Sequence, residues 1–161
     1  MTTSRLVRVL ATVCLLGGVS LTACGDETAP VGATISGPSD ATINVSPGDV
    51  PPAFTLTFGV TDASGNAVPG VDIEFFAASS ATGGSAAALT DADGNLLDPS
   101  NPTNAVIQTD DRGLGRVRFV IGFSTTCDPV TPADLTATGI VSASVGVASA
   151  QWTGTYNVKC T

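Results

Sequence analysis

Histidine is absent from this chain of 161 residues, and basic residues are scarce, with six Lys and Arg against 14 Asp and Glu. Histidine is the commonest general base, so its absence excludes Ser-His-Asp and Cys-His catalysis. Nucleic-acid binding needs a basic surface that neutralises phosphates, which a formal net charge of −8 opposes. We therefore expect no enzyme activity, no cofactor and no nucleic-acid partner.

The first 23 residues predict an export signal. Arg5 and Arg8 form a short positive region, and residues 9–19 are an almost unbroken run of apolar and small residues. This run is well short of the roughly 20 residues that a membrane-spanning helix needs. The segment Leu21-Thr22-Ala23-Cys24 that follows resembles the lipobox of bacterial lipoproteins. The resemblance implies a cleaved lipoprotein signal peptide over residues 1–23 and a mature protein anchored to membrane lipid through acylated Cys24.

After cleavage, residues 24–30 form a short lipidated tether and residues 31–161 a single domain. Cleavage removes two of the six basic residues and none of the 14 acidic ones, so the net charge becomes 4 − 14 = −10. Cys14 lies in the signal and Cys24 takes lipid, which leaves Cys127 and Cys160 as an even pair. Outside the cytoplasm such a pair is expected to form a disulfide.

Alternating apolar residues predict short β-strands throughout the domain. The clearest examples are residues 54–60 and 115–121, each with apolar side chains at every second position. Clusters of Gly, Pro, Asn and Asp separate the strands, which favours an all-β antiparallel sandwich. Trp152 and Tyr156 share one strand face; core packing is the preferred interpretation and a carbohydrate-stacking platform the alternative. Phe76 interrupts a polar face, either as an edge contact covered by a loop or as a ligand-facing residue.

Two segments resemble signatures of bacterial immunoglobulin-like domains of the invasin and intimin type. One is residues 54–75, with the turn Asp62-Ala63-Ser64-Gly65-Asn66, and the other is residues 109–119, which begin Thr109-Asp110-Asp111-Arg112-Gly113. The resemblance covers residues 31–158 and implies an immunoglobulin-like antiparallel β-sandwich that serves as a rigid spacer or an adhesive tip. Ala67 stands where such domains often have proline, and residues 91–104 resemble an insertion.

The acidic residues lie in turns or on polar strand faces, where hydrogen bonds from side chain to backbone explain them. A catalytic carboxylate pair is therefore not expected. Asp91, Asp93 and Asn95 occupy the first, third and fifth positions of a calcium-loop pattern, but Leu96 and Pro102 replace its glycine and glutamate. An Asx-rich hairpin turn is the preferred interpretation, and a weak surface metal site for calcium is the alternative.

These observations predict a lipid-anchored protein of the cell envelope whose domain acts as a structural or adhesive surface module. The alternative is an accessory ligand- or polysaccharide-binding lipoprotein of an envelope complex. Its expected partners are membrane lipid and either another envelope protein or a surface glycan. Gly25, directly after Cys24, favours the outer membrane or cell surface over the inner membrane. We expect residues 91–104 to carry recognition, and shortening this loop to change stability by no more than about 1 kcal/mol.

Overall fold

A computed structural model describes residues 29–160. The predicted signal peptide, Cys24 and most of the tether lie outside the described residues. Residues 29–160 contain strands and turns only, so no helix in this range could cross a membrane. The nine strands are β1 (Thr34–Ser36), β2 (Ala41–Val45), β3 (Phe54–Thr61), β4 (Asp72–Ala81), β5 (Ser85–Thr90), β6 (Asn104–Gln108), β7 (Leu114–Phe123), β8 (Leu135–Val145) and β9 (Ala148–Val158).

The strands form two sheets, which confirms the all-β prediction. One sheet has the order β1-β3-β7-β5, and the other has the order β2-β9-β8-β4-β6. All neighbouring strands are antiparallel except β2, which runs parallel to β9. The apolar faces of the two sheets meet in one core, as in a β-sandwich.

Alternation along the strands decides which side chains form that core. In β3 every second residue from Leu56 to Val60 is buried, and β7 repeats this from Val117 to Ile121. Because successive side chains of a strand point to opposite faces, the residues between them form the outer face of the sheet. There Arg116 and Arg118 flank the buried Val117, as the sequence pattern predicts.

The strands give the domain two ends, where most of its loops lie. The entry end consists of residues 29–33, 62–70, 109–113 and 146–147. The disulfide end consists of residues 46–53, 82–84, 124–134 and 159–160. The 11 residues of β9 run from one end to the other, a length of about 35 Å at the usual rise per residue.

Candidate functional site

The chain enters the domain beside two hairpin turns. The methyl group of Ala29 lies against the β8–β9 turn, where a Cβ on Gly146 would be 3.6 Å from it. Gly32 approaches Ala63 of the β3–β4 loop, and a Cβ there would be 3.2 Å from the Ala63 Cβ. Thr34 then pairs with Thr61 across the sheet edge, with 2.9 Å between their Oγ1 atoms. The segment that leads back toward Cys24 therefore starts at the entry end.

Three acidic turns share one hydrogen-bonding pattern. In each, the aspartate Oδ1 accepts bonds from the backbone N–H groups two and four residues later; the aspartates are Asp62, Asp91 and Asp110. The pKa of Asp62 and that of Asp91 are lowered chiefly by the side-chain amides of Asn66 and Asn95, and the pKa of Asp110 chiefly by the N–H of Leu114. The predicted role of turn aspartates is confirmed.

The calcium-loop candidates fall into the second of these turns. The backbone N–H groups of Asp93 and Asn95 each donate to Asp91 Oδ1 at 2.9 Å, and Asn95 Nδ2 donates to Asp91 Oδ2 at 2.9 Å. Hydrogen bonds of the turn itself thus engage both carboxylate oxygens of Asp91. Across residues 29–160, no group of three or more His, Cys, Asp or Glu is arranged to hold a metal ion.

The loop of residues 91–104 is hydrogen-bonded into the fold, which argues against the expectation that shortening it changes stability by no more than about 1 kcal/mol. Its role in recognition stays a prediction. It crosses from β5 to β6 along the side of the domain, at neither end. Leu89 N donates to Pro102 O at 2.8 Å, Leu97 N to Leu89 O at 3.2 Å, and Ala77 N to Thr103 O at 2.8 Å. Leu97 also packs against the core. The loop therefore covers the edge of β5, and shortening it removes sheet-like hydrogen bonds and apolar contacts.

Cys127 and Cys160 are joined as a disulfide, with their Cα atoms 5.6 Å apart. The bond ties the β7–β8 loop to the segment after β9. Asp134 reinforces this junction, because it accepts bonds from Cys160 N at 3.0 Å and Lys159 Nζ at 2.7 Å. Both contacts lower the pKa of Asp134, the one from Lys159 most. The disulfide end is thus cross-linked by a covalent bond and by hydrogen bonds to Asp134.

Hydrogen bonds between neighbouring loops further stabilise the disulfide end. Gly48 N donates to Thr125 O at 3.0 Å, and Thr125 Oγ1 donates to Asp49 O at 2.8 Å. Two valines in the loops of this end, Val50 and Val130, are almost fully exposed. The disulfide end therefore combines a fixed backbone with exposed apolar side chains.

Trp152 and Tyr156 are both buried, so their predicted place in the core is confirmed and they form no surface platform. The ring of Trp152 lies 5.6 Å from Phe54 and 5.6 Å from Phe119, centroid to centroid. The hydroxyl of Tyr156 has no hydrogen-bond partner among the described residues. Burial raises the pKa of Tyr156 to about 12.

A groove of about 440 Å³ lies on the outer face of the five-stranded sheet. Its apolar walls are Phe76 and Val106, which are 53% and 61% exposed, with Leu97 of the 91–104 loop (the side loop) beside them. Ser142 and Ser144 of β8 also line it. Its remaining polar groups come from Glu74, Asp98 and Asn104. The sequence pattern singles out Phe76 but not its neighbours in the groove, because they come from three strands and a loop far apart in the chain.

The cross-strand register places the groove residues in rows. Phe76 has Ser142 on one side and Asn104 on the other, while Glu74 lies between Ser144 and Val106. Directly opposed side chains on one sheet face are close neighbours. Because the side chain of Ser142 is small, it leaves the side of the Phe76 ring that faces β8 uncovered.

Neither a scan against protein-family models nor a search of curated proteins finds a match to this chain.

Proposed function

We propose that this protein is a lipid-anchored envelope module whose immunoglobulin-like domain presents its disulfide end and side faces to partners, without catalysis. The observation that carries the proposal is the path of the chain. It enters at one end of the domain, shortly after Cys24, while the cross-linked end lies at the opposite pole. This is the geometry of a spacer or adhesive domain held at a surface.

The strand order supports the immunoglobulin-like part of the proposal. In such sandwiches strands A-B-E-D form one sheet and C-F-G the other. Strands β1-β3-β7-β5 occupy the first arrangement and β4-β8-β9 the second, with β2 and β6 added at the sheet edges. Trp152 lies on the last strand, and the disulfide joins Cys127 to Cys160. Antibody domains instead have their tryptophan on strand C and a disulfide between the sheets, so this core differs from that of an antibody domain.

The short tether limits the distance between the domain and the membrane. Ala29 is five positions after Cys24, and five fully extended Cα–Cα steps reach at most about 18 Å. The entry end must then lie close to the lipid head groups. With the strands upright on the membrane, the disulfide end lies about 35 Å further out, the length of β9. Exposed Val50 and Val130 are thereby displayed at the outer pole.

Replacing the lipid-carrying residue tests the anchor. Cys24→Ser removes the acceptor thiol, so we expect the chain to stay unlipidated and to leave the detergent phase in detergent partitioning. Thr28→Ser, a change within the same tether, serves as the control and should partition like the parent. Unchanged partitioning of Cys24→Ser would contradict the lipoprotein proposal.

The orientation is tested with tryptophans placed at the two poles. Val147 lies at the entry end and Val130 at the disulfide end, and both side chains are exposed. In vesicles with nitroxide-labelled head groups, Val147→Trp should be quenched and Val130→Trp should not, against the common background of buried Trp152. Equal quenching of the two variants would contradict the upright arrangement.

One observation favours the second candidate function, ligand or polysaccharide binding. The groove around Phe76 lies on a side face of the domain, in the half nearer the entry end, and is lined by none of the loop residues of that end.

A further inference from the structure

The geometry points to the groove around Phe76 as a binding site for a neutral sugar ring, one unit of a glycan chain. This inference rests on the proposed surface role for its place in the cell, whereas binding itself does not require the anchor. The volume of about 440 Å³ lies within the usual range for small-ligand sites, about 300–1,000 Å³.

The groove offers an apolar face and polar edges at the same time. Phe76 and Val106 are more than half exposed, on a face whose other strand residues are mostly polar or small, with Ile140 of β8 the exception. A pyranose ring has the matching character, with C–H groups on its faces and hydroxyl groups at its rim. An aromatic ring next to low serine side chains can pack against the C–H face, and the register places Ser142 directly beside Phe76.

The polar groups around Phe76 suit hydroxyl partners. Glu74 and Asp98 supply carboxylate acceptors, Asn104 supplies both a donor and an acceptor, and the two serines can do either. Asp98 is held in place because its Oδ1 accepts bonds from Ser100 N at 2.9 Å, Ser100 Oγ at 2.6 Å and Asn101 N at 3.2 Å. Within residues 29–160, no hydrogen bond uses the carboxylate of Glu74 or the hydroxyls of Ser142 and Ser144.

The negative charge of the groove disfavours anionic ligands. The groove contains two carboxylates, and no Lys or Arg lines it. The whole chain carries a formal net charge of −8. An anionic glycan would bring like charges together without a compensating cation, which is unfavourable. A second copy of the chain meets the same repulsion, and the two exposed apolar side chains fall short of the apolar core of a stable protein interface. A neutral saccharide meets neither obstacle.

The test measures binding by the full chain, kept in solution with a mild detergent, by saturation-transfer NMR. The probes are neutral disaccharides of glucose, galactose and N-acetylglucosamine, a glucuronate-containing disaccharide, and a short oligolysine peptide. We expect saturation transfer to the C–H protons of at least one neutral disaccharide and none to the glucuronate probe. Phe76→Ala should weaken that binding at least about tenfold, which corresponds to 1.4 kcal/mol.

Matched variants separate groove effects from general ones. Glu74→Gln should weaken binding about threefold or more, whereas Asp72→Asn, on the same strand and outside the groove, should leave it unchanged. Phe76→Leu keeps an apolar side chain and should also lose binding, with a melting temperature that verifies its fold. Binding by none of the neutral probes, binding of the glucuronate or oligolysine probe alone, or equal weakening by Glu74→Gln and Asp72→Asn would each overturn the proposal. Because binding is read independently of detergent partitioning, its failure is distinguishable from failure of the anchor.

Discussion

The turn that joins β6 to β7 packs so closely on the β3–β4 region that a single methyl group there should be costly. A Cβ on Gly113 would lie 2.7 Å from Val60 O and 2.9 Å from Val68 N. These two backbone atoms are hydrogen-bonded to each other at 3.0 Å, and Val60 N also donates to Gly113 O at 2.8 Å. The methyl group of Gly113→Ala would therefore be forced against the Val68 N–Val60 O hydrogen bond that closes the β3–β4 loop.

Gly65 provides a matched control, because it occupies the same position in another of the three acidic turns. Its φ is +84° and that of Gly113 is +71°, and no atom lies within 4 Å of a Cβ placed on Gly65. Alanine at positive φ costs about 1–2 kcal/mol, partly offset by about 0.4–1 kcal/mol from the less flexible unfolded chain. Gly65→Ala should thus lose about 1 kcal/mol. Gly113→Ala adds an overpacking term of about 1–3 kcal/mol, for a total of about 3 kcal/mol.

Both variants are compared in the same full-length background by urea denaturation and thermal melting. At this domain size, 1 kcal/mol corresponds to roughly 4 °C in melting temperature, so Gly113→Ala should melt about 8 °C below Gly65→Ala. Losses of equal size in the two variants would show that the turns are not in close contact, and would refute the argument from the Cβ distances.

Three further predictions concern stability. Removing the disulfide with Cys127→Ala and Cys160→Ala should cost about 3.7 kcal/mol by the chain-entropy relation for a separation of 33 residues; a loss below about 1 kcal/mol in urea denaturation would contradict this. Tyr156→Phe removes a buried hydroxyl that has no partner among the described residues, so we expect stability unchanged or higher by about 1 kcal/mol, and a clear drop in melting temperature would indicate a hidden partner. The free energy of unfolding should be constant near neutral pH and fall as pH drops below about 4, because carboxylates whose pKa is lower in the folded state than the ordinary 3.8 stabilise the fold only while charged. The carboxylates with a lowered pKa are those of Asp62, Asp91, Asp98, Asp110, Asp128 and Asp134. Melting temperatures between pH 7 and pH 2.5 check this, and a flat profile would contradict it.

The strands were predictable from the sequence because burial imposes a period of two on the side chains. Val117, Phe119 and Ile121 show that period directly, and the turn aspartates show the chemistry of the turns between strands. Strand partners are not encoded in the same way. The parallel pairing of β2 with β9 joins Ala41 to Gly154 across most of the chain, and no local pattern specifies it.

The side loop and the groove were not predictable for two different physical reasons. The loop is held chiefly by backbone hydrogen bonds such as Leu89 N to Pro102 O, and these leave no trace in the identity of the side chains. The groove depends on which side chains become neighbours across strands. Phe76 was identifiable as an exception to the polar face, whereas its neighbour Ser142 becomes informative only once the register is known.

The parallel pairing of β2 with β9 gives the domain a mechanical property. If the entry end is held at a membrane and a partner pulls on the disulfide end, the force runs along the strands. The backbone hydrogen bonds between β2 and β9, from Ala41–Gly154 to Val45–Val158, are then loaded in shear and must yield together instead of opening one by one. The Cys127–Cys160 bond prevents the far end of β9 from separating from the β7–β8 loop under the same load. Tension between the two ends would thus be carried by these hydrogen bonds acting together.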